Sequence, residues 1–408
     1  MRELKAVKAD IDKQLGSSPS DVSIIALVDL LVTFGYVARA SDIHIEPAEK
    51  NVLIRYRIDG ILHDGFVVAK DLQPEIITRI KVLSGLKTDI HHIPQDGRIK
   101  VKIEDGVEVD VRVSIAPTFY GENCVMRILA ESNQVFGVDD LGFTPAQLEM
   151  VNEAVRKPYG MILANGPTGS GKTTTLYTFL KKLNTRDVSI ITIEDPIEYS
   201  LEGITQIPVN VQAGLTFATG LRSILRQDPN IVMVGEIRDS ETATIAVNAA
   251  LTGHLMLSTI HTNDAATTFP RLIDMGIPPF LVASTVNVAI AQRLVRVVCK
   301  TCRVERNLSA DDVKQLGGIT KHLNVSRVFS KGEGCNECDG LGYRSRIGIH
   351  EVLEINEEIR ALIIARADAS QIKQAAVKNG MVTMIEDGIV KASNGITTIE
   401  EIFRIIHE

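Results

Sequence analysis

The chain has 408 residues, of which 45% are apolar and 23% are charged, the composition of an ordinary globular protein with two to three domains. A net charge of −7 argues against a nucleic-acid-binding machine, and polar residues interrupt the two longest apolar stretches, 24–38 and 277–291, which excludes membrane-spanning helices there. The charged first residues do not form a signal peptide, so we expect a cytoplasmic protein with five reduced cysteines.

The N-terminal third is predicted to hold a linker and then a small α+β domain. Residues 1–20 are polar and end in a Gly-Ser-Pro-rich stretch, which predicts a linker or a disordered start. Residues 21–38 have the apolar spacing of a helix, and residues 52–58 alternate apolar and polar side chains before an Asp-Gly turn. A second hairpin of the same kind follows at 98–113. We therefore predict an α+β domain over 21–130.

The second hairpin concentrates charge on one face. Its alternation places valines on one side and charged side chains on the other. The charged residues are Arg98, Lys100, Lys102, Glu108, Asp110 and Arg112. Cross-strand ion pairs are one explanation for such a face. The excess of positive charge also suits an anion, and this alternative stays open at this point.

Strands and helices alternate after a polar joint at 131–140, which predicts a parallel sheet with crossover helices over 141–298. The strand candidates are 161–164, 189–193, 231–234 and 255–260. Ligands of open α/β sheets bind at the carboxyl ends of the strands. The polar sequences that follow these strands are therefore expected to converge on one edge of the sheet.

One of these polar sequences matches the phosphate-binding pattern G-x-x-x-x-G-K-[ST] at every defined position. It reads Gly166-Pro167-Thr168-Gly169-Ser170-Gly171-Lys172-Thr173. A predicted strand precedes it and a predicted helix follows, a context that a chance glycine-rich turn would lack. The glycines let backbone N–H groups converge on an anion, Lys172 can reach the β- and γ-phosphates, and the Thr173 hydroxyl can ligate Mg²⁺. We predict that the protein binds a nucleoside triphosphate.

Two acidic residues end strands that neighbour this motif. Glu236 follows the strand 231–234 behind a glycine, where a carboxylate usually lies near Mg²⁺ and contacts it through water. The alternative is a solvated acid at a strand end. Glu194 ends the second predicted strand and is a candidate base or water-orienting group for attack on the γ-phosphate. The alternative, that the acids after this strand only cap or bridge a loop, stays open.

Histidines and arginines lie near the same strands. His254 and His261 flank the fourth predicted strand, where a histidine can sense a phosphate or simply satisfy a loop carbonyl. Arg222 and Arg226 lie four residues apart on a predicted helix, and Arg238 follows the acid of the third strand. These arginines could bind phosphate or pair with the acids of this edge.

Four of the five cysteines form two C-x-x-C pairs. They are Cys299 and Cys302, then Cys335 and Cys338. Four thiolates complete one tetrahedral Zn²⁺ and leave no open position, so the expected metal is structural; redox pairs are the alternative. Cys124 lies alone in an apolar run and is expected in the core. We predict a zinc-binding subdomain over 299–340 and a helical domain over 341–408.

With these residues in place, the chain resembles the ATPases of type II secretion and type IV pilus assembly, the GspE/PilB type, over nearly its whole length. The motifs before the P-loop are Ala40-Ser41-Asp42-Ile43-His44-Ile45-Glu46-Pro47, Arg57-Ile58-Asp59-Gly60 and Pro94-Gln95-Asp96-Gly97-Arg98. The motifs after it are Ile193-Glu194-Asp195-Pro196-Ile197-Glu198-Tyr199, Gly235-Glu236-Ile237-Arg238-Asp239, and the segment from Thr252-Gly253-His254 to His261-Thr262-Asn263. The four cysteines resemble the assembly and secretion branches, since retraction motors generally lack them.

The resemblance implies a RecA-like ATPase core with a PAS-like N-terminal α+β domain, and ATP, Mg²⁺ and Zn²⁺ as cofactors. It implies a cytoplasmic homohexamer, without a nucleic-acid partner, that docks on a platform protein of the inner membrane and drives pilin or pseudopilin assembly. The implied catalytic residues are Lys172, Glu194, Glu236, His254, His261, Arg112 and Arg127. The implied nucleotide contacts are residues 166–173 with Thr174, Arg222, Arg226 and Arg238.

Family members usually carry a further N-terminal domain, and here only residues 1–20 precede the predicted α+β domain, which leaves regulation and partner choice open. A DNA-handling P-loop ring ATPase is a second hypothesis, although the acidic balance and the lack of Lys/Arg runs count against it. A small-molecule kinase is a third, but no feature of the sequence marks an acceptor pocket.

Overall fold

The computed structural model describes residues 3–18, 21–103, 106–129, 137–316, 323 and 325–407. Contacts divide the chain into two units, Met1–Gln134 and Val135–Glu408. Residues 131–136 of the polar joint predicted at 131–140 lie outside the described residues. Within the described ranges, every helix is too short or too polar to cross a lipid bilayer.

The first unit is a six-stranded antiparallel sheet with three helices. The helices are α1 (Leu4–Leu15), α2 (Ile24–Val37) and α3 (Gln73–Leu83). The strands are β1 (Ala40–Pro47), β2 (Asn51–Ile58), β3 (Ile61–Ala69), β4 (Gln95–Lys102), β5 (Glu108–Thr118) and β6 (Gly121–Leu129), in the order β3-β2-β1-β6-β5-β4. Alternate strand residues such as Ile43, Ile54 and Val111 are buried in a core that includes residues of all three helices. Both predicted hairpins are therefore present, as β2–β3 and β4–β5.

The start of the chain differs from the prediction. Residues 1–20 were predicted to be a linker or disordered, but Leu4–Leu15 forms α1. Val7 and Ile11 lie one helical turn apart and are fully buried in the core that also holds Leu27 and Val28 of α2. The prediction is wrong because two apolar residues in a polar stretch are enough to bury one stripe of a helix.

The second unit is built on a seven-stranded sheet with the order β15-β12-β7-β11-β10-β8-β9. Its strands are β7 (Gly160–Asn165), β8 (Ile190–Glu194), β9 (Thr205–Pro208), β10 (Ile231–Val234), β11 (Leu255–Ile260), β12 (Val286–Val298) and β15 (Tyr343–Glu354). All neighbours are parallel except β15, which is antiparallel to β12. The α/β class and the four predicted strands are confirmed, while β9, β12 and β15 were not predicted.

Helices cover the sheet and bury apolar residues on both of its faces. They are α4 (Pro145–Arg156), α5 (Lys172–Leu183), α6 (Phe217–Ile224), α7 (Ser240–Leu251), α8 (Thr268–Asp274) and α9 (Pro279–Thr285). One core contains Leu163, Val234 and helix α7, and the other contains Ala164, Met233 and helix α5. The near-continuous apolar strands follow from this burial on both faces.

In the described residues, the C-terminal third adds a pair of short strands and five helices. The elements are β13 (Val304–Asn307), α10 (Ala310–Gln315), β14 (Arg327–Ser330), α11 (Glu357–Ile364), α12 (Ala369–Lys378), α13 (Met384–Ser393) and α14 (Ile399–His407). The prediction that 341–408 is wholly helical is wrong, since Tyr343–Glu354 is strand β15 of the main sheet. This strand forms by pairing along β12, and the local periodicity of the sequence does not show such long-range pairing.

Candidate active site

The P-loop connects the end of β7 to the start of α5, as predicted. Gly166, Gly169 and Gly171 have φ angles of 144°, 79° and 88°, which favour glycine. At Gly166 a Cβ atom would also lie 2.6 Å from Ser170 Oγ and 2.7 Å from the carbonyl oxygen of Gln292. The Ser170 hydroxyl is buried and has no hydrogen-bond partner among the described residues. A glycine loop with an unpaired buried hydroxyl, at a helix N-terminus, fits a phosphate group.

Lys172 is the first residue of α5 and is buried within the loop. Its Nζ donates to the carbonyl oxygens of Gly166 and Pro167 at 2.9 and 2.8 Å. Burial lowers the pKa of Lys172 to about 8; the charge of Glu236 opposes this shift, and that of Arg293 adds to it. Lys172 is therefore a desolvated cation whose charge is available for a phosphate near neutral pH.

Glu236 gathers positive groups just beyond the end of β10. Arg238 donates a hydrogen bond to its Oε1, and His261 Nε2 lies 3.4 Å from its Oε2. The Arg238 hydrogen bond lowers the pKa of Glu236, burial opposes this shift, and the charges of Arg238, His261 and Lys172 add to it. The structure thus brings Lys172, Glu236, Arg238 and His261 together and keeps the carboxylate ionised.

Glu194 lies at the end of β8 in a separate, more enclosed network. It is 3% exposed, and its carboxylate accepts hydrogen bonds from the hydroxyls of Tyr177 and Thr192 and from Gln206 Nε2. Tyr177 belongs to α5 and Gln206 to β9. The carboxylate is therefore held between the P-loop helix and the edge of the sheet.

Within its own chain, His254 does not lie at the end of the sheet that carries the P-loop, which corrects the expectation from the sequence. It immediately precedes β11, and its carbonyl oxygen accepts a hydrogen bond from the N–H of Gly160, the first residue of β7. Its Nδ1 lies 3.1 Å from the carbonyl oxygen of Ala249. Since β11 runs parallel to β7, His254 is a strand length, about 20 Å, from the P-loop end of the sheet.

The predicted arginines of the second unit have different surroundings. Arg238 pairs with Glu236, as described, whereas Arg222 Nη2 lies 2.7 Å from Glu241 Oε1 of α7. Arg226 follows the end of α6 and donates from Nη1 to the carbonyl oxygen of Arg222 at 3.0 Å. In this structure, Arg238 is the one of these three that directly contacts the Glu236 cluster.

The sequence analysis missed two residues of β12 that contact the site. The Gln292 side chain is buried. It donates a hydrogen bond to the carbonyl oxygen of Ser170 at 2.7 Å and accepts one from Thr175 Oγ1 at 2.9 Å, so it links β12 to both the P-loop and α5. Arg293 adds positive charge near Lys172 and reaches the carbonyl oxygen of Asn263 at 3.5 Å. No local motif marks these residues, and only the pairing of β12 with β7 places them here.

The loop that carries His261 is held by a partly buried cluster of ion pairs. Lys373 Nζ, on α12, lies 3.2 Å from Asp264 Oδ2 and 3.3 Å from Glu351 Oε2 of β15. Glu351 Oε1 accepts a hydrogen bond from the N–H of Ala265 at 3.1 Å. The C-terminal helices therefore contact the segment that follows His261.

In the first unit, Arg112 of β5 and Arg127 of β6 lie directly opposite each other. The same row continues to Arg98 of β4 on one side and through Asp42 of β1 to Arg57 of β2 on the other. The Nε atoms of Arg127 and Arg57 lie 2.9 and 3.7 Å from the carboxylate of Asp42. Arg98 also donates hydrogen bonds to both carboxylate oxygens of Asp110, and Lys102 Nζ lies 3.7 Å from Glu108 Oε1, so cross-strand ion pairs account for part of this charged face. The arginines of the row still outnumber the carboxylates beside them, which suits a ligand of high negative charge.

The four predicted metal ligands come together. Their Sγ atoms all lie within 4.8 Å of one another. The separations of Cys299 from Cys335, Cys302 from Cys338 and Cys335 from Cys338 are 3.6, 3.8 and 3.7 Å. Four sulfurs at ~2.3 Å from a tetrahedral zinc would lie about 3.8 Å apart, so this set fits Zn²⁺.

Backbone hydrogen bonds favour the thiolate form of Cys338, whereas burial and the neighbouring thiols raise the pKa values of Cys302 and Cys335. The N–H groups of Cys335 and Gly342 both lie 3.2 Å from Cys338 Sγ. Burial raises the pKa of the Cys338 thiol, but these hydrogen bonds outweigh burial and lower it to about 7. Cys124, by contrast, is fully buried in the core of the first unit, where burial raises its pKa to about 12.

A family model described as "Type II/IV secretion system protein" matches residues 17–404. The chain belongs to this family. The family resemblance drawn from the sequence motifs is thereby confirmed.

Two curated proteins show how this member of the type II/IV secretion system family relates to others. The type IV pilus assembly ATPase PilB of Thermus thermophilus is 46% identical over 375 residues, which cover 92% of this chain and 42% of PilB. The type II secretion system protein E of Xanthomonas campestris is 45% identical over 403 residues, which cover 99% of this chain and 71% of that protein. The chain thus spans less than half of the first relative.

A solved structure agrees with the fold of this type II/IV secretion system family member. The pilus retraction motor PilT with bound ADP superposes with a TM-score of 0.61 at 25% identity, over 92% of this chain and 96% of PilT. The RecA-like assignment from the sequence is confirmed by this likeness and by the parallel sheet with its P-loop.

Proposed function

We propose that the chain is an ATPase that powers assembly of a type IV pilus or of a type II secretion pseudopilus. The proposal is carried by one observation, the P-loop at the end of β7 with Lys172 in electrostatic contact with Glu236 beyond β10. The names of the curated relatives, a pilus assembly ATPase and a type II secretion protein, support it. The row of arginines in the first unit supports it further, because a triphosphate is a ligand of high negative charge.

Each residue of the site has a role that its surroundings permit. The Lys172 ammonium exchanges the carbonyl oxygens of Gly166 and Pro167 for phosphate oxygens, and the Thr173 hydroxyl and Glu236, the latter through water, hold Mg²⁺. Mg²⁺, when bound, neutralises charge on the β- and γ-phosphates. Glu194 is the base or water-orienting group. His261, whose Nε2 faces Glu236, senses the γ-phosphate through this carboxylate.

We expect the motor to be a cytoplasmic homohexamer that is peripheral to the inner membrane and docks there on a platform protein. This expectation follows from the family resemblance. The resemblance also implies that Arg112, Arg127, Arg222, Arg226 and Arg238 supply positive charge to the triphosphate, and of the last three, Arg238 contacts Glu236 in this structure. The choice between a pilus and a secretion system depends on the platform protein, which co-purification from membranes would identify.

The experiment that tests ATP binding uses the pKa of Lys172. Only the ammonium form attracts phosphate, and the pKa of Lys172 is lowered to about 8 in the structure. Below pH 8 the charge is present, and above it the charge is lost, so we expect the Kd for MgATP to rise by up to roughly tenfold per pH unit above pH 8. Calorimetric titrations at pH 7, 8 and 9 measure this change.

Lys172→Arg is the matched control, because an arginine keeps its charge across this range and removes the pH dependence. The purified protein should also convert ATP to ADP and phosphate. Failure of the wild-type chain to bind MgATP at pH 7, or to hydrolyse it, would contradict the proposed function.

We also propose that the four cysteines hold one structural zinc ion. Purified protein should contain about one zinc per chain. Cys335→Ser should lower the zinc content and destabilise residues 299–340, because three thiolates leave the site incomplete, while MgATP binding at the P-loop persists. Metal analysis with limited proteolysis checks this. Cys124→Ala, which removes a cysteine outside the cluster, should retain the zinc. Zinc-free native protein, or a disulfide between Cys299 and Cys302 in protein from the cytoplasm, would be the contrary result.

A further inference from the structure

The buried carboxylate of Glu194 is held by three hydrogen-bond donors. Thr192 Oγ1 and Gln206 Nε2 lie 2.5 and 3.1 Å from Oε1, and the Tyr177 hydroxyl donates to Oε2. A carboxylate offers about four lone-pair positions, two on each oxygen. Among the described residues, both positions of Oε1 are therefore occupied, and the position without a donor is on Oε2, the oxygen that Tyr177 contacts. The direction of this free lone pair depends on Tyr177.

Tyr177 is itself fixed from several sides. Its ring is buried and packs edge-on against Tyr199, with ring centroids 4.7 Å apart. Its hydroxyl oxygen accepts hydrogen bonds from the N–H of Glu198 at 3.4 Å and from Gln206 Nε2 at 3.3 Å. Burial and then the charge of Glu194 raise the pKa of Tyr177, so the hydroxyl keeps its proton and donates to the carboxylate.

Tyr177 also connects Glu194 to the nucleotide end of α5. It lies four residues after Thr173, so the two side chains share one face of the helix. The hydroxyl of Thr173 is the proposed ligand of Mg²⁺, and the hydroxyl of Tyr177 contacts Glu194. One helix that starts at the P-loop therefore carries both groups, and its placement sets where the carboxylate of Glu194 lies.

We propose that Tyr177 is a positioning residue for Glu194, which orients the free lone pair of Oε2 toward the attacking water. The inference rests on the proposed ATPase function. Tyr177 does not contact ATP in this role, and it acts only through the carboxylate. Loss of its hydroxyl should therefore slow turnover without weakening nucleotide binding.

Tyr177→Phe is the test, because it removes the hydroxyl and keeps the ring packing. We expect kcat to fall roughly ten- to a hundredfold, the effect of one hydrogen bond to a charged group, with KM for ATP changed less than twofold. Tyr199→Phe is the matched control, since it removes a neighbouring hydroxyl from the same aromatic pair and should retain the wild-type kcat. Melting temperatures of both variants check the fold.

A double variant separates positioning from simple packing. If Tyr177 acts through Glu194, then Tyr177→Phe should change the residual rate of Glu194→Gln by less than twofold. If Tyr177 only packs, the two effects should multiply, which would overturn the inference. If Tyr177→Phe does not fold, Gln206→Ala is the second variant to test. Gln206 lies on the edge strand β9, so its replacement removes another hydrogen-bond donor to Glu194 without creating a cavity in the core, and kcat should again fall.

The two proposals fail differently. A wild-type chain that does not hydrolyse ATP would contradict the proposed function. A wild-type chain that hydrolyses ATP, with Tyr177→Phe at the same kcat, would contradict only the role of Tyr177.

Discussion

Replacing Lys172 with alanine is expected to abolish ATP hydrolysis, and replacing Glu236 with glutamine is expected to remove turnover while MgATP still binds. The two outcomes differ because Lys172 provides charge for the phosphates themselves, whereas Glu236 orients groups around them. Glutamine is nearly isosteric with glutamate and keeps one acceptor oxygen for Arg238, so the cluster should stay folded. Steady-state phosphate release and binding of a fluorescent ATP analogue measure the two effects separately.

Lys157→Ala is a suitable control for both variants, because Lys157 lies after α4 and outside the P-loop. This control should hydrolyse ATP at the wild-type rate. Hydrolysis by Glu236→Gln at the wild-type rate would show that Glu236 is a solvated acid at a strand end, the alternative that the sequence leaves open.

Replacing Arg112 or Arg127 with alanine is expected to remove most of the ATPase activity, since an arginine that stabilises the transferring phosphoryl group contributes roughly 10³–10⁵-fold to kcat. The structure adds a reason beyond the family resemblance. The two arginines face each other across β5 and β6, in a row that also holds Asp42, Arg57 and Arg98, the last of which is paired with Asp110. An exposed cross-strand ion pair would contribute only about 0.2–1 kcal/mol to stability, which cannot account for so large a loss of activity.

Thermal unfolding and oligomeric state should be unchanged in these two variants. Asp42 keeps Arg57 as a neighbour after Arg127→Ala, so its charge stays compensated. Lys100→Ala removes a cation from the exposed face of the adjacent strand β4 and serves as the control for net charge. Near-normal turnover in both Arg112→Ala and Arg127→Ala would show that these arginines are surface charges with no role in ATP hydrolysis.

Local patterns were enough to predict the elements that the P-loop depends on. The strand before Gly166, the helix after Thr173 and the strand before Glu236 each have a short apolar run with a polar sequence at its end. The strand β12 was missed because the run 277–291 is predominantly apolar across helix α9 and the start of the strand, so periodicity does not separate the two. Gln292 and Arg293 were missed with it.

The error at His254 has a different origin. A residue that follows a parallel strand lies at the carboxyl edge, and one that precedes it lies at the amino edge. His261 follows β11 and His254 precedes it, so their order along the chain already distinguishes them. The family resemblance treats the two histidines as one motif and hides this difference.

The strand β12 ties the nucleotide site to the zinc cluster. Gln292, in the middle of β12, donates a hydrogen bond to the P-loop, and Cys299, the first of the four clustered cysteines, directly follows Val298, the last residue of β12. Seven residues of extended chain span about 23 Å, and β15 pairs with β12 along this interval, with one register shift between Arg296 and Val298. An extended, hydrogen-bonded strand is stiff along its length, so a movement at one end of the strand also moves the other end. A displacement of Gln292 as the P-loop closes on a nucleotide would be transmitted along β12 to the thiolates at its far end.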